Sequence, residues 1–215
     1  MSAAEARVQA QQTVSLSPFL RAGGFTRVSH STLRDAAEGA YTKRKKVDQY
    51  QLVEGLSTDE TVVYVDPRTK QAIVALRGTA RGQDILSDIG VAKGTLAKTA
   101  RYKRTVQEVN RAKSQLAGYN VHLVGHSLGG SLAKQYSMDN PVVDTVSFNT
   151  GYKIPGQSFR SSRTQSSQRY REYLNSNDVV SAGSLFYKKE PGTVRYTNKR
   201  YFLGAHKARP TKFYE

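Results

Sequence analysis

YNVHLVGHSLGGSLAKQYS, residues 119–137, passes from strand character to helix character at a serine. YNVHLVG is short and mostly apolar and reads as a strand; helix resumes almost at once, at Leu128, and runs to Asn140, where Pro141 stops it. At the junction Gly125-His126-Ser127-Leu128-Gly129 fits G-x-S-x-G, the pattern of a tight strand-to-helix elbow. Glycine is required on both sides of the serine because a Cβ there collides with the neighbouring strand and helix. Such a turn lifts the Ser127 hydroxyl off the sheet. The first turn of the helix then directs unpaired N–H groups and a positive dipole end toward any oxyanion forming beside it.

Upstream, TVVYVD at 61–66 and QAIVALRG at 71–78 are rich in Val, Ile and Ala, and PRTK at 67–70 places a proline at the first central position of a turn. This is a strand, turn, strand unit, and the apolar run Ala72 to Leu76 suits a central strand covered on both faces. Between 98 and 117, Tyr102, Val106, Val109, Ala112 and Leu116 recur at four- and three-residue steps, with Arg101, Lys103, Arg104, Arg111 and Lys113 filling most of the other face. That is an amphipathic helix, ended by Gly118. VVDTVSFNT at 142–150, YREYLN at 170–175 and TVRYTN at 193–198 read as further strands, with a long loop over 151–169 and a hairpin-like excursion between the last two. Nearer the N-terminus a helix is expected over Leu33–Tyr41, capped by Ser31 or Thr32. Val47, Tyr50, Val53 and Leu56 have the three-residue spacing of another helix. The alternation predicts an α/β fold with a mostly parallel central sheet and helices on both faces. Residues 1–35 are expected as a partly irregular arm and 36–215 as one domain.

VHLVGHSLGGSLA at 121–133 resembles the nucleophile segment of the class 3 lipase family, the α/β-hydrolase group that includes fungal triacylglycerol lipases, and IVALRGTA at 73–80 resembles its oxyanion-strand segment. FNTGYKIPG at 148–156 resembles the strand and loop that follow the nucleophile helix, and the likeness extends from about Val62 to His206. It implies an α/β-hydrolase that cleaves carboxylic esters, lipase- or phospholipase-like, with Ser127 as nucleophile and no metal or organic cofactor. The oxyanion donors it implies are the backbone N–H groups of Leu128 and Thr79, with the Thr79 hydroxyl as a third. Asp84 and Asp88 fall where the family has its acidic pair, and Gly78, Gly125, His126 and Gly129 support the site. Arg77 is expected to tie loop carbonyls or Asp88 through its fixed donors.

The chain has four histidines. His126 lies inside the elbow and is expected to point away from Ser127, His122 lies in a strand, and His30 precedes the hydrolase segment; by chain order and by resemblance the base is His206. The acid must follow the serine, which admits Asp139, Asp144, Glu172, Asp178, Glu190 and Glu215. Asp178 is preferred because NSNDVVSAG sets it just past a strand, in a D-x-V context similar to the family's. Two departures from the family stand out: Ile85 replaces a commonly aromatic residue, and IGVAKGTLAK at 89–98 lacks its His and Gly-Phe segment. A large lid is therefore not expected, and short or medium acyl esters are the expected substrates.

The 215 residues carry a net charge of +16, distributed as +4 over 1–50, 0 over 51–100, +3 over 101–150 and +9 over 151–215. A field of that sign attracts anionic membranes, nucleic acid or acidic proteins without choosing among them. Tyrosines interleaved with Arg and Lys in the last third read as half-buried sheet faces with a basic rim, in preference to a base-stacking surface. The Lys43-Arg44-Lys45-Lys46 run reads as solvated surface, with an anchoring patch for polyanions as the alternative. With no Cys, disulfides and thiolate chemistry are excluded; no phosphate-binding loop, dinucleotide fingerprint or H-E-x-x-H motif is present. No apolar run approaches a membrane span and the N-terminus lacks the order of a secretory signal, so a cytoplasmic, peripheral-membrane or virion-associated location is expected. The competing reading is a catalytically weak or inactive hydrolase scaffold serving as a structural or polyanion-binding protein.

Overall fold

The computed structural model describes residues 28–79, 96–150, 169–175 and 193–196. Along the chain they form α1 (His30–Gly39), β1 (Lys46–Val47), β2 (Tyr50–Leu52), β3 (Thr61–Asp66), β4 (Gln71–Leu76), α2 (Ala100–Gln115), β5 (Asn120–His126), α3 (Leu128–Asp139), β6 (Asp144–Phe148), β7 (Tyr170–Asn175) and β8 (Thr193–Tyr196). The strands make one sheet whose spatial order follows the sequence. β1 to β4 pair antiparallel, and β4 to β8 pair parallel. Hairpin connections serve the first half; α2 lies in the connection from β4 to β5, and α3 in that from β5 to β6, as parallel neighbours require.

Period-two alternation sends the strand side chains to two cores. Val62, Tyr64, Ile73, Ala75, Val124 and Tyr173 pack with Leu33, Ala36 and Ala37 of α1. On the other face, Val63, Val74, Leu76 and Leu123 pack with Val109 and Ala112 of α2 and with Leu132, Ala133 and Tyr136 of α3. The sheet thus has helices on both faces, and β3 and β4 are buried along their full lengths, as the apolar run from Ala72 to Leu76 implied. Thr99 caps α2 by accepting from the Tyr102 N–H. Two hydroxyls tie α2 to α3: Tyr102 donates to Asp139, and Tyr136 donates to Asn110 Oδ1 at 2.8 Å.

Some expectations change. The first helix begins at His30, inside the expected arm, and its cap is Ser29, whose Oγ accepts from the Thr32 N–H at 3.1 Å. Val47 and Tyr50 belong to a hairpin and not to a helix: Asp48 sits at φ 50° in a two-residue turn, so Val47 and Tyr50 face each other across it and are buried together. Spacing of three therefore marks one side of a tight hairpin as well as one side of a helix. Leu56 falls in a single 3-10 turn, Glu54–Leu56. Arg101, read as part of the solvent face of α2, turns inward to pair with Glu60. β7 and β8 pair in parallel, so a simple hairpin does not join them; the excursion at 176–192 lies outside the described residues. Within the basic run, Lys43 pairs with Asp59 at 2.7 Å and Lys45 with Glu54, both at exposed positions where such pairs contribute little.

Among the described residues one ion pair is buried. Lys134 of α3 reaches Glu172 of β7 at 3.3 Å, and the same carboxylate accepts from Thr150 Oγ1 at 2.6 Å. Removing one partner strands the other charge in the core, which costs more than an ion pair contributes. Lys134→Met is expected to lower stability by about 3 kcal/mol or more in urea unfolding, and adding Glu172→Gln should restore at least half of that loss.

Candidate active site

β5 delivers the chain to Ser127 at φ 58° and ψ −126°, and α3 starts at the next residue. A non-glycine residue there costs about 1–3 kcal/mol and persists only where its surroundings hold it. Three bonds do so: the Ser127 N–H donates to the Phe148 carbonyl at 3.1 Å, the Ser127 carbonyl accepts from the Ser131 N–H at 3.0 Å, and Asn149 at the end of β6 is itself held at φ 45° while donating to the Tyr173 carbonyl. The flanking glycines are sterically enforced. A Cβ on Gly129 would meet the Leu76 carbonyl of β4, and one on Gly125 would meet the backbone of Gly129. The serine side chain is buried, and its Oγ has no hydrogen-bond partner among the described residues.

The segment after β4 lies against this elbow. A Cβ built on Gly78 would fall 2.6 Å from the His126 carbonyl and 3.1 Å from Ser127 Cβ, which sets Gly78 beside the serine. Leu128 is the first residue of α3, and its N–H precedes the intrahelical ladder, which begins with the Ser131 N–H. Arg77 is held three ways: its N–H donates to the Glu60 carbonyl at 2.9 Å, its Nη1 to the Asp59 carbonyl at 3.2 Å, and its carbonyl accepts from Arg101 Nη2 at 2.9 Å. Burial depresses the Arg101 guanidinium to about 10, still fully charged near neutrality.

His126 turns toward Tyr41, with Nδ1 3.0 Å from the phenol oxygen and the rings edge to face. Tyr41 was not singled out by its sequence context, where it closes the LRDAAEGAY stretch. It accepts from the Gly78 N–H, and burial pushes its hydroxyl up to about 12. One phenol thus braces both the histidine before the serine and the glycine beside it. His30 bonds to Arg171 and Tyr173, and His122 to Gln71 at 2.7 Å, so neither faces the elbow. Of the acids that follow the serine, Asp139 accepts from Tyr102, Asp144 lies 4.0 Å from both His122 and Arg169, and Glu172 is in the buried pair. Asp84, Asp88, Asp178 and His206 lie outside the described residues. Among the described residues there is no cluster of metal-ligating side chains and no helix long and apolar enough to cross a membrane.

A mixed sheet, parallel from β4 to β8 and flanked by helices, with a serine on a strained strand-to-helix elbow, defines an α/β-hydrolase fold. Its architecture is similar to that of a lipase from Rhizopus microsporus var. chinensis, with a TM-score of 0.52 at 16% identity over 80% of this chain and 76% of that one. A triacylglycerol lipase from Penicillium expansum aligns at 18% identity over 77% of each chain, with a TM-score of 0.48. Residues 22–152, more than half of the chain, match the Tle-like phospholipase domain, and the protein belongs to that phospholipase-like family. A GDSL esterase/lipase of Arabidopsis thaliana is 33% identical over 90 residues, which span 40% of this chain and 25% of the plant protein. The likeness to class 3 lipases carried by the two sequence motifs thus extends to the fold.

Two outcomes test this geometry. Tyr41→Phe removes a buried hydroxyl from two partners and should cost about 1–2 kcal/mol in chemical unfolding. Burial holds the His122 imidazole below its ordinary 6.5, with Asp144 opposing the shift. The unfolded chain therefore binds the extra proton, and stability should fall as pH drops below 6.5. His122→Gln should flatten that part of the stability profile measured between pH ~5 and ~7.

Proposed function

We propose that this protein is a serine hydrolase of carboxylic esters, acting on lipid or phospholipid. The observation that carries this reading is Ser127 itself: a buried hydroxyl at φ 58° on a strand-to-helix elbow, with Gly78 packed against it. A buried polar group in a strained conformation and without a described partner costs stability, and such costs are concentrated at sites where the strain serves chemistry. Membership in a phospholipase-like family and the relation to an esterase/lipase support ester cleavage as that chemistry.

In this reading Ser127 Oγ attacks the ester carbonyl carbon while His206 takes its proton. The N–H groups of Leu128 and Thr79 hold the oxyanion, and the Thr79 hydroxyl adds a third donor. As the tetrahedral intermediate collapses, the carbon–oxygen bond to the alcohol breaks and His206 returns the proton to the leaving oxygen. Water then repeats the sequence on the acyl-enzyme and releases the carboxylic acid. Asp178 keeps the imidazole in the accepting tautomer and stabilises its cation. Three of the four histidines have other surroundings, and three of the six acids that follow the serine have other partners, which leaves this assignment chemically open. No metal or organic cofactor takes part. The +16 charge favours anionic interfaces as the place where substrate is met, with short or medium acyl chains accepted.

A fluorophosphonate probe should label Ser127, as located by mass spectrometry. Ser127→Ala should abolish labelling and lower ester hydrolysis by at least ~1,000-fold with an unchanged far-UV circular dichroism spectrum. His206→Ala and Asp178→Asn should also lower kcat strongly. Label on a different serine, with full activity in Ser127→Ala, would overturn the reading.

A further inference from the structure

At the end of the sheet away from Ser127 there is a small, open cleft of about 50 Å³, lined among others by His30, His122, Asp144, Arg169 and Arg171. The five-residue step along β5 from His122 to Ser127 sets the two places roughly 16 Å apart, and the helix α3 starts only beyond the serine. The cleft is therefore separate from the proposed ester-cleaving site.

Among the described residues its charges do not balance: two guanidinium groups face one carboxylate, and Asp144 Oδ1 stands 4.0 Å from Arg169 Nη1, too far for a hydrogen bond. Arg169 Nη1 instead donates to the Val142 carbonyl at 3.0 Å, and Arg171 Nη1 lies 3.0 Å from His30 Nε2. A guanidinium can only donate, so His30 Nε2 is the acceptor and that nitrogen carries no proton; the ring proton is then on Nδ1, 2.9 Å from the Tyr173 oxygen. Two basic side chains thus meet in an open cleft, with an imidazole lone pair standing where an anion would bind more strongly. Each guanidinium has five N–H donors; Arg169 spends one nitrogen on the Val142 carbonyl, which leaves it a planar edge for oxygens arranged as in phosphate, and Arg171, bonded to His30 and to the Tyr173 hydroxyl, keeps further N–H donors beside it. His122 offers no competing cation, since its Nε2 donates to Gln71 and burial keeps it neutral.

We propose that this cleft is a binding site for a phosphate group, held by Arg169 and Arg171 with His30 beside them. The ligand's oxygens take over the Arg171 donor now spent on His30 and accept a bidentate pair from at least one guanidinium. The group is carried either by a small soluble phosphoester or by a phospholipid headgroup.

The test uses the full chain at low ionic strength with three probes: inorganic phosphate, glycerol 3-phosphate, and vesicles of phosphatidylglycerol compared with phosphatidylcholine. Calorimetry should show saturable binding of a soluble phosphate at one site, or, for a headgroup site, binding confined to phosphatidylglycerol vesicles. Arg169→Gln with Arg171→Gln should weaken that binding at least tenfold, and Arg169→Gln alone, at an exposed position that tolerates change, should weaken it several-fold. Ser127→Ala should leave it unchanged, which separates this site from ester cleavage. Absence of binding by all three probes, or binding that survives both arginine replacements in a folded protein, overturns the proposal; so does equal displacement by chloride at matched ionic strength, the signature of nonspecific charge attraction.

Discussion

No side chain fits between Gly129 and the Leu76 carbonyl, and the rest of the site depends on that contact. Because the helix backbone touches the strand backbone, α3 is seated against the end of β4 while leaving from the end of β5, and the one residue between strand and helix must turn sharply. Ser127 takes the positive φ that results. Parallel registry of Leu76 with Gly125 then brings the residues after β4 alongside the elbow without a long loop. The position of Ser127 and the placement of the residues after β4 beside it are thus two results of one close approach.

Support for this arrangement comes from polar groups outside the elbow. Tyr41 ties α1's end to His126 and Gly78 from one face; Arg101, paired with Glu60, holds the Arg77 carbonyl from the other. Lys134 and Glu172 fasten α3 to β7 beneath it. Each group spans two elements, so the segment around Ser127 is fixed by side chains from both layers, as a strained residue requires. Buried charge is a costly way to fasten a helix, but it also specifies which strand that helix faces.

Much of this was legible in the sequence because the deciding signals are local. A period change at a G-x-S-x-G, apolar runs in β3 and β4, and the stripe from Tyr102 to Leu116 each report on a few neighbouring residues. The residues that went unread act at a distance. Tyr41 meets a histidine 85 positions later, and nothing in LRDAAEGAY announces that partner. Glu172 was weighed as a catalytic acid because it follows the serine; its true neighbour, Lys134, looks like any solvent-facing residue of a helix until β7 is packed against it. The Val47 and Tyr50 spacing failed for a different reason, since a two-residue hairpin and a helical turn both bring positions three apart onto one side.

The first strand of the sheet gives the basic run a use unrelated to catalysis. β1 pairs only two residues, lies at the edge of the sheet among the described residues, and starts at the last residue of the run Lys43-Arg44-Lys45-Lys46. An edge so short offers few unpaired backbone groups to an incoming strand, and Arg44 and Lys46, outside the pairs that take up Lys43 and Lys45, repel a second copy of the same edge. Sheet growth from molecule to molecule is thereby discouraged at this end, and a long, apolar, mixed sheet remains compatible with solubility while the chain is still folding.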